Sequence, residues 1–420
     1  MTTWVGSSVP TSLTDAQIKQ MRNDKSVKQI SEDEAVLFSS NPPWSDTAFV
    51  NGSGEWWSWG RNAINGKTYS GSINTASDRR VYIIDSGVAN HWDLPSVTSR
   101  INVGCGTGNC DSAQWPVVGC YAHATHVAGI IGATANANWG VAGVYAGVEM
   151  RSVAYIAARS ETWGICSDFQ GLTSAISNFG YALDHVFWEI FTSGSLVVPI
   201  VNISQNSMGI GFDQNGQPGP NYGKLQTLLQ PNYFVWQYWP YTGPYPGAFI
   251  VQSAGNSGSS VCTLPSPAYR PWANFDGTAV DGIMVVGSLS SSGAPTSSFS
   301  PPNPASASGT ALASNHGDCV DVWAPGDDIV STFGDHVSAW ANQTTVSGTY
   351  YGMPGYGYSG WARMSGTSMA APHIAAAAAY VADTYGLTTP IAIEQKLREL
   401  FVWTGYLDAS NKPAYRVQLP

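Results

Sequence analysis

The chain has 420 residues, 43% hydrophobic and only 11% charged, with 45 Gly, 25 Pro, 17 Trp and 20 Tyr. That is enough for one large domain or two to three small ones, and too apolar and too poor in charge for a disordered chain. The formal net charge of −10 argues against nucleic acid as a partner, and the lack of any apolar run of 18 or more residues argues against a membrane span.

Six cysteines, an even number, suit up to three disulfides and an oxidising compartment, with fifteen pairings open. Met1–Pro10 has neither the basic start nor the apolar stretch of a signal peptide, so a leader removed upstream, or another route of export, is expected. Ser12 or Thr14 can cap a short helix through Met21, and Val27–Phe38 reads as a strand crowded with charge. The run Ser-Ser-Asn-Pro-Pro at 39–43 is a linker signal. It divides residues 1–40 from a main domain of residues 41–420.

Beyond the linker, strands and helices alternate. Val81-Tyr82-Ile83-Ile84 is an apolar run closed by Asp85-Ser86-Gly87. That is the pattern of a buried parallel strand at its carboxyl end, where open α/β sheets seat ligands, although an ordinary Asx turn looks the same. Cys105, Cys110 and Cys120 precede Tyr121-Ala-His-Ala-Thr-His126, the start of a helix packed by Val127, Ile130 and Ile131. C-x4-C-x9-C-x2-H is not a usual zinc spacing and no H-E-x-x-H accompanies it, so disulfides outrank a metal here. Strands are expected over Glu149–Ile156, Leu196–Ile203, Phe249–Asn256, Ile283–Gly287 and Val320–Ala324, and helices over Gly171–Glu189 and Ile391–Phe401. An aromatic and proline-rich excursion at 205–247 reads as an insertion on the surface, and a second excursion, rich in Gly, Tyr and Trp, is an insertion at 332–361. The alternation predicts an α/β domain, a doubly wound, mainly parallel β-sheet with helices on both faces. No internal repeat and no second domain after Tyr385 is found.

Ser365–Ala379 reads S-G-T-S-M-A-A-P-H-I-A-A-A-A-A. Alanine favours a helix, a proline is tolerated in its first turn, and Ser368 then sits near an N-terminus whose unpaired N–H groups suit an oxyanion. A buried Ala-rich helix merely capped by its serine fits the segment equally. A serine hydroxyl is a poor nucleophile at neutral pH. It needs an imidazole to take its proton and a carboxylate to orient that imidazole. Asp85 at a strand end, and His123 and Ser368 at helix starts, can meet on one edge of the sheet. Their chain order, Asp, His, Ser, is the order found in subtilisin.

V-Y-I-I-D-S-G-V at 81–88, H-A-T-H-V-A-G at 123–129 and G-T-S-M-A-A-P-H at 366–373 resemble the three active-site blocks of the subtilisin-like serine proteases. The resemblance is closest to the secreted proteinase K-like branch and runs from about Trp57 to Leu407. It implies the three-layer subtilisin-like fold, with Asp85 as orienting carboxylate, His123 rather than His126 as general base then acid, and Ser368 as nucleophile. S-A-G-N at 253–256 resembles the family's oxyanion segment, so Asn256 and the Ser368 backbone N–H would receive the oxyanion, with Ser204 and Gly255 along the substrate-binding edges. W-G-R-N-A-I at 59–64 and C-V-D-V-W-A-P-G at 319–326 resemble the family's mature N-terminal segment and the strand ahead of its serine block.

Two departures stand out. Ala124 replaces a usual glycine, and where the family's substrate-binding edge is Ser-Leu-Gly-Gly, Val201-Asn-Ile-Ser204 is followed here by Gln205-Asn-Ser-Met-Gly209, which leaves side-chain preference open. Residues 9–38 resemble the later half of the family's inhibitory propeptide, with a maturation cut expected between Phe38 and Trp44. The implied protein is a secreted, extracellular endopeptidase, monomeric, acting on protein or peptide substrates and binding its own propeptide-like segment. No cofactor is required for the chemistry, and structural calcium is allowed without assigned residues. The alternatives are a catalytically silent protein-binding scaffold and a peptide ligase, in which an amine resolves the acyl-enzyme. The sequons at Asn51, Asn202 and Asn342 are weak signals, and Asn202 is expected in a buried strand.

Overall fold

The computed structural model describes residues 36–37, 48–50, 56–71, 80–103, 122–135, 140–155, 172–204, 221–229, 245–261, 279–299, 312–334 and 359–420. The expected helix through Met21, the linker at 39–43, five of the six cysteines and most of both aromatic excursions lie outside them. In chain order the strands are β1 (Val36–Leu37), β2 (Ala48–Val50), β3 (Trp56–Ser58), β4 (Lys67–Thr68), β5 (Arg80–Asp85), β6 (Val97–Asn102), β7 (Tyr145–Ala146), β8 (Glu149–Ala154), β9 (Ile200–Ile203), β10 (Phe249–Ser253), β11 (Ile283–Leu289), β12 (Val322–Pro325), β13 (Ile329–Gly334), β14 (Ser359–Ser365), β15 (Phe401–Leu407) and β16 (Pro413–Val417). The helices are α1 (Trp59–Ile64), α2 (Ala122–Gly132), α3 (Leu172–Ser193), α4 (Tyr222–Leu229), α5 (Thr367–Tyr385) and α6 (Pro390–Glu399).

One nine-stranded sheet runs in the order β15-β16-β12-β11-β10-β9-β5-β8-β6. Every neighbouring pair from β16 to β6 is parallel, and only β15 joins antiparallel. The continuous apolar run of β5 has a simple cause: both of its faces are covered. Val81 and Ile83 enter a core shared with α2, α5 and α6, while Tyr82 and Ile84 enter one shared with α3 and α4. The protein is therefore the three-layer α/β architecture that the alternation predicts.

Helix α5 runs through the larger of these cores, with Ala375 to Ala379 all fully buried. Small side chains let its backbone lie close to the sheet. Its start corrects one expectation. The helix begins at Thr367, so Pro372 lies past the first turn and inside the helix. A proline there has no N–H to give the carbonyl four residues back, which is that of Ser368.

Two further elements add to those expected. The ends of the 332–361 excursion fall in strands, β13 and β14, which pair antiparallel from Ile329↔Met364 to Gly334↔Ser359. After Tyr385, α6 is followed by the β15–β16 hairpin, which extends the same sheet through the Trp323↔Arg416 pairing.

Helix α6 carries a buried carboxyl with a pH consequence. Glu394 Oε1 accepts from Arg398 Nε (2.9 Å) and Nη2 (2.7 Å), and Oε2 accepts from the N–H groups of Asp281 (2.9 Å) and Gly282 (2.7 Å). Burial above all, and then the Asp321 carboxylate, push its pKa from 4.5 up to about 7 against the opposing pull of Arg398. The folded chain therefore holds a proton that the unfolded chain releases near pH 4.5. The stability tied to this proton is full below pH 4.5 and is lost as pH rises through about 7, with a slope of at most ~1.4 kcal/mol per pH unit. Glu394→Gln is expected to remove that fall. Unfolding midpoints measured from pH 4 to 8 check it, and an unchanged slope in the variant would contradict the assignment.

Candidate active site

The carboxyl ends of three neighbouring strands, β10, β9 and β5, deliver Asn256, Ser204 and Asp85 to one edge of the sheet. Asp85 is the last residue of β5 and is fully buried. His123, in the first turn of α2, places Nδ1 2.8 Å from Asp85 Oδ1 and 2.9 Å from Oδ2, with 14% of its side chain exposed. A carboxylate oxygen accepts, so Nδ1 carries the proton and Nε2 of the neutral ring is the basic atom. The Ser86 N–H also donates to Asp85 Oδ1, at 2.6 Å, which fixes the carboxylate plane.

Helix α2 is pinned by β13. Thr332 Oγ1 donates to the Thr125 carbonyl (2.7 Å) and Ser331 Oγ to the His126 carbonyl (2.8 Å). Gly129 makes this approach possible, since a Cβ there would lie 2.2 Å from both hydroxyl oxygens. His126 is fully buried and its Nε2 donates to the Ile329 carbonyl at 3.0 Å, so this ring joins α2 to β13. Ala124 is a buried helical residue with no positive φ, and the departure from glycine costs nothing.

Ser368 is the second residue of α5 and is fully buried. Its Oγ donates to the Ser204 carbonyl at 2.8 Å, and Ser204 Oγ donates back to the Ser368 carbonyl at 2.9 Å. Beside it, Asn256 Oδ1 accepts from the N–H (2.8 Å) and the hydroxyl (2.9 Å) of Thr367, whose Oγ1 in turn accepts from the Gly255 N–H at 2.9 Å. Those two bonds settle which end of the amide is which, leaving Nδ2 as the donor end. A Cβ built on Gly366 would lie 3.2 Å from Asn256 Nδ2 and 3.7 Å from the Ser368 nitrogen. The same point lies 3.7 Å from Asn256 Oδ1, so the missing side chain leaves open the space between the Asn256 amide and the start of α5.

Gly255 has φ +101, and its carbonyl accepts from the Asn315 N–H at 2.8 Å. Residues 205–209, where the substrate edge departs from the family pattern, lie outside the described residues, as do Cys105, Cys110 and Cys120. Among the described residues no group of three or more His, Cys, Asp or Glu side chains could hold a metal ion. Thr367 ties the Gly255–Asn256 segment to the start of α5, and its position between Gly366 and Ser368 is the only sign of this in the sequence.

Comparison with known proteins gives the class. The chain matches the subtilase family over residues 77–412 and belongs to it. It is thereby a serine peptidase. It is 24% identical over 405 residues to alkaline protease 1 of Aspergillus clavatus, covering 95% of this chain and 74% of that protein. It is 26% identical over 392 residues to the cuticle-degrading protease of Metarhizium anisopliae, covering 92% and 74%. Among solved structures, a cold-adapted subtilisin-like serine proteinase superposes with a TM-score of 0.51 at 21% identity, over 86% of this chain and 97% of that one.

Proposed function

We propose that the protein is a secreted endopeptidase that cleaves peptide bonds through an acyl-enzyme on Ser368, with His123 as base and then acid, Asp85 as its orienting carboxylate, and Asn256 with the Ser368 N–H as the oxyanion hole. The observation that carries this reading is the His123 Nδ1 contact to both Asp85 oxygens at the edge of the sheet where Ser368, from the start of α5, bonds the Ser204 carbonyl. Ser368 Oγ attacks the scissile carbonyl carbon as its proton passes to His123 Nε2, and Asp85 stabilises the imidazolium. The oxyanion forms against Asn256 Nδ2 and the Ser368 N–H at the start of α5, where the helix dipole adds positive potential. His123 then protonates the leaving amine, and water, deprotonated by the same nitrogen, releases the acid. This chemistry needs no cofactor.

An extended peptide would pair along the edge near Ser204. Both backbone groups of Gly255 are committed to Thr367 and Asn315, so Gly255 would shape the wall and leave the pairing to its neighbours. Export is supported by a relative named alkaline extracellular protease, from Yarrowia lipolytica, 31% identical over 166 residues and covering 39% of this chain and 28% of that protein. Among the described residues no helix is long and apolar enough to cross a membrane. The propeptide-like segment as an intramolecular partner is supported by β1, which pairs Val36 with Ser365 and Leu37 with Met364, just ahead of the nucleophile.

Casein hydrolysis together with labelling by a fluorophosphonate tests the reading, and a protein inert to both is not an endopeptidase of this kind. Asn256→Ala is expected to lower kcat by about 10²–10³-fold, the loss seen for the oxyanion asparagine of subtilisin, with KM little changed. A peptide anilide assay reads both constants, and a loss confined to KM would remove Asn256 from the oxyanion hole.

A further inference from the structure

Asn202 lies on β9 and is fully buried, so its sequon is closed to a glycan and its side chain faces only protein. Its Nδ2 stands 2.8 Å from Ser204 Oγ, and Ser204 Oγ stands 2.9 Å from the Ser368 carbonyl. A serine hydroxyl has one proton, and a carbonyl can only accept. The Ser204 proton therefore goes to the Ser368 carbonyl, and the Asn202 amide must be the donor to Ser204 Oγ. The carbonyl at the end of this relay is the one that Pro372, four residues on, deprives of its intrahelical N–H. A buried carbonyl is costly to leave unmade, so the bond from Ser204 takes the place of the missing turn of the helix.

We propose that Asn202 is a positioning residue for the nucleophile: by donating to Ser204 Oγ it commits that hydroxyl to the Ser368 carbonyl, replacing the helical bond lost to Pro372 and fixing the backbone on which the Ser368 Oγ and N–H are carried. This rests on Ser368 being the nucleophile. The Asn202 amide bonds Ser204 Oγ, so it works through Ser204. The geometry also assigns Ser204 two jobs, since its own carbonyl accepts from Ser368 Oγ at 2.8 Å. One residue at the end of β9 thus holds both the main chain and the side chain of residue 368.

The test is a set of cycles read as kcat and KM on a peptide anilide and as the rate of fluorophosphonate labelling, with thermal midpoints recorded in parallel. Asn202→Ala and Ser204→Ala are each expected to lower kcat and the labelling rate about tenfold with KM within about twofold, the size of one hydrogen bond. The double variant should be no slower than Ser204→Ala, because Asn202 acts only through that hydroxyl. Asn202→Asp keeps the shape but can draw the Ser204 proton to itself, and should be as slow as Asn202→Ala. Pro372→Ala restores an N–H to the helix, and in that background the Asn202→Ala loss should shrink to about threefold or less. Losses that multiply in the double variant, a change in KM alone, an Asn202→Ala effect untouched by Pro372→Ala, or full activity in Asn202→Asp would each overturn the proposal. If the unaltered protein shows no labelling that depends on Ser368, the proposed function itself fails. Normal labelling with unaffected Asn202 variants removes only this inference.

Discussion

Ser368→Ala is expected to lower casein hydrolysis by about 10⁶-fold and to abolish fluorophosphonate labelling, the loss in turnover being that of the serine variant of subtilisin. The fold should survive. The substitution removes one hydroxyl, which donates to the Ser204 carbonyl, and a single hydrogen bond contributes about 1 kcal/mol. The return bond from Ser204 Oγ to the Ser368 carbonyl does not use the side chain and remains. A thermal midpoint within a few degrees of the parent, with activity gone, separates a chemical loss from unfolding. Residual hydrolysis above about one part in a hundred would show that another nucleophile does the work.

Asp85→Asn is expected to cost about 10⁴-fold in kcat while KM changes little. The reason lies in which atoms face His123. Both carboxylate oxygens lie on Nδ1, and Oδ1 is also held by the Ser86 N–H. An asparagine keeps its oxygen toward the Ser86 N–H and sets its NH2 in the place of Oδ2. A donor then faces Nδ1, and the ring shifts its proton to Nε2, the atom that in the proposed mechanism takes one from Ser368. The negative charge that stabilises the imidazolium is lost as well. The labelling rate should fall in parallel with kcat, and a variant within tenfold of the parent would show that the carboxylate is structural only.

The parts of the fold that could be read in the sequence are those set by local periodicity. Val81 to Ile84 is apolar at every position because both faces of β5 are covered, and the Ala run of α5 is a helix pressed against a sheet. The β15–β16 hairpin could not be read in the same way. Val402, Trp403, Tyr406 and Leu407 are all exposed, so β15 has no buried face to impose alternation, although Asp408 to Lys412 carries turn residues. The β13–β14 ladder joins strands on either side of a long excursion, and no local signal encodes that pairing. At the site, residue types at strand and helix ends pointed to Asp85 and Ser368. Thr367, Ser204 and Asn202 matter through contacts made across the fold, and an asparagine in a sequon gives no sign that its amide ends a relay.

The burial of α5 also bears on how long such an enzyme lasts among copies of itself. A peptidase in solution is its own most available substrate, and a chain must be extended and accessible over several residues to be cut. The segment that carries residue 368 is flanked by the sheet on one side and by α2 and α6 in the same core, with no exposed stretch between Thr367 and Ala379. It can be cut only in molecules that have opened as a whole. Autolysis at the centre of the enzyme is therefore governed by global unfolding, and nicks should gather at the periphery first.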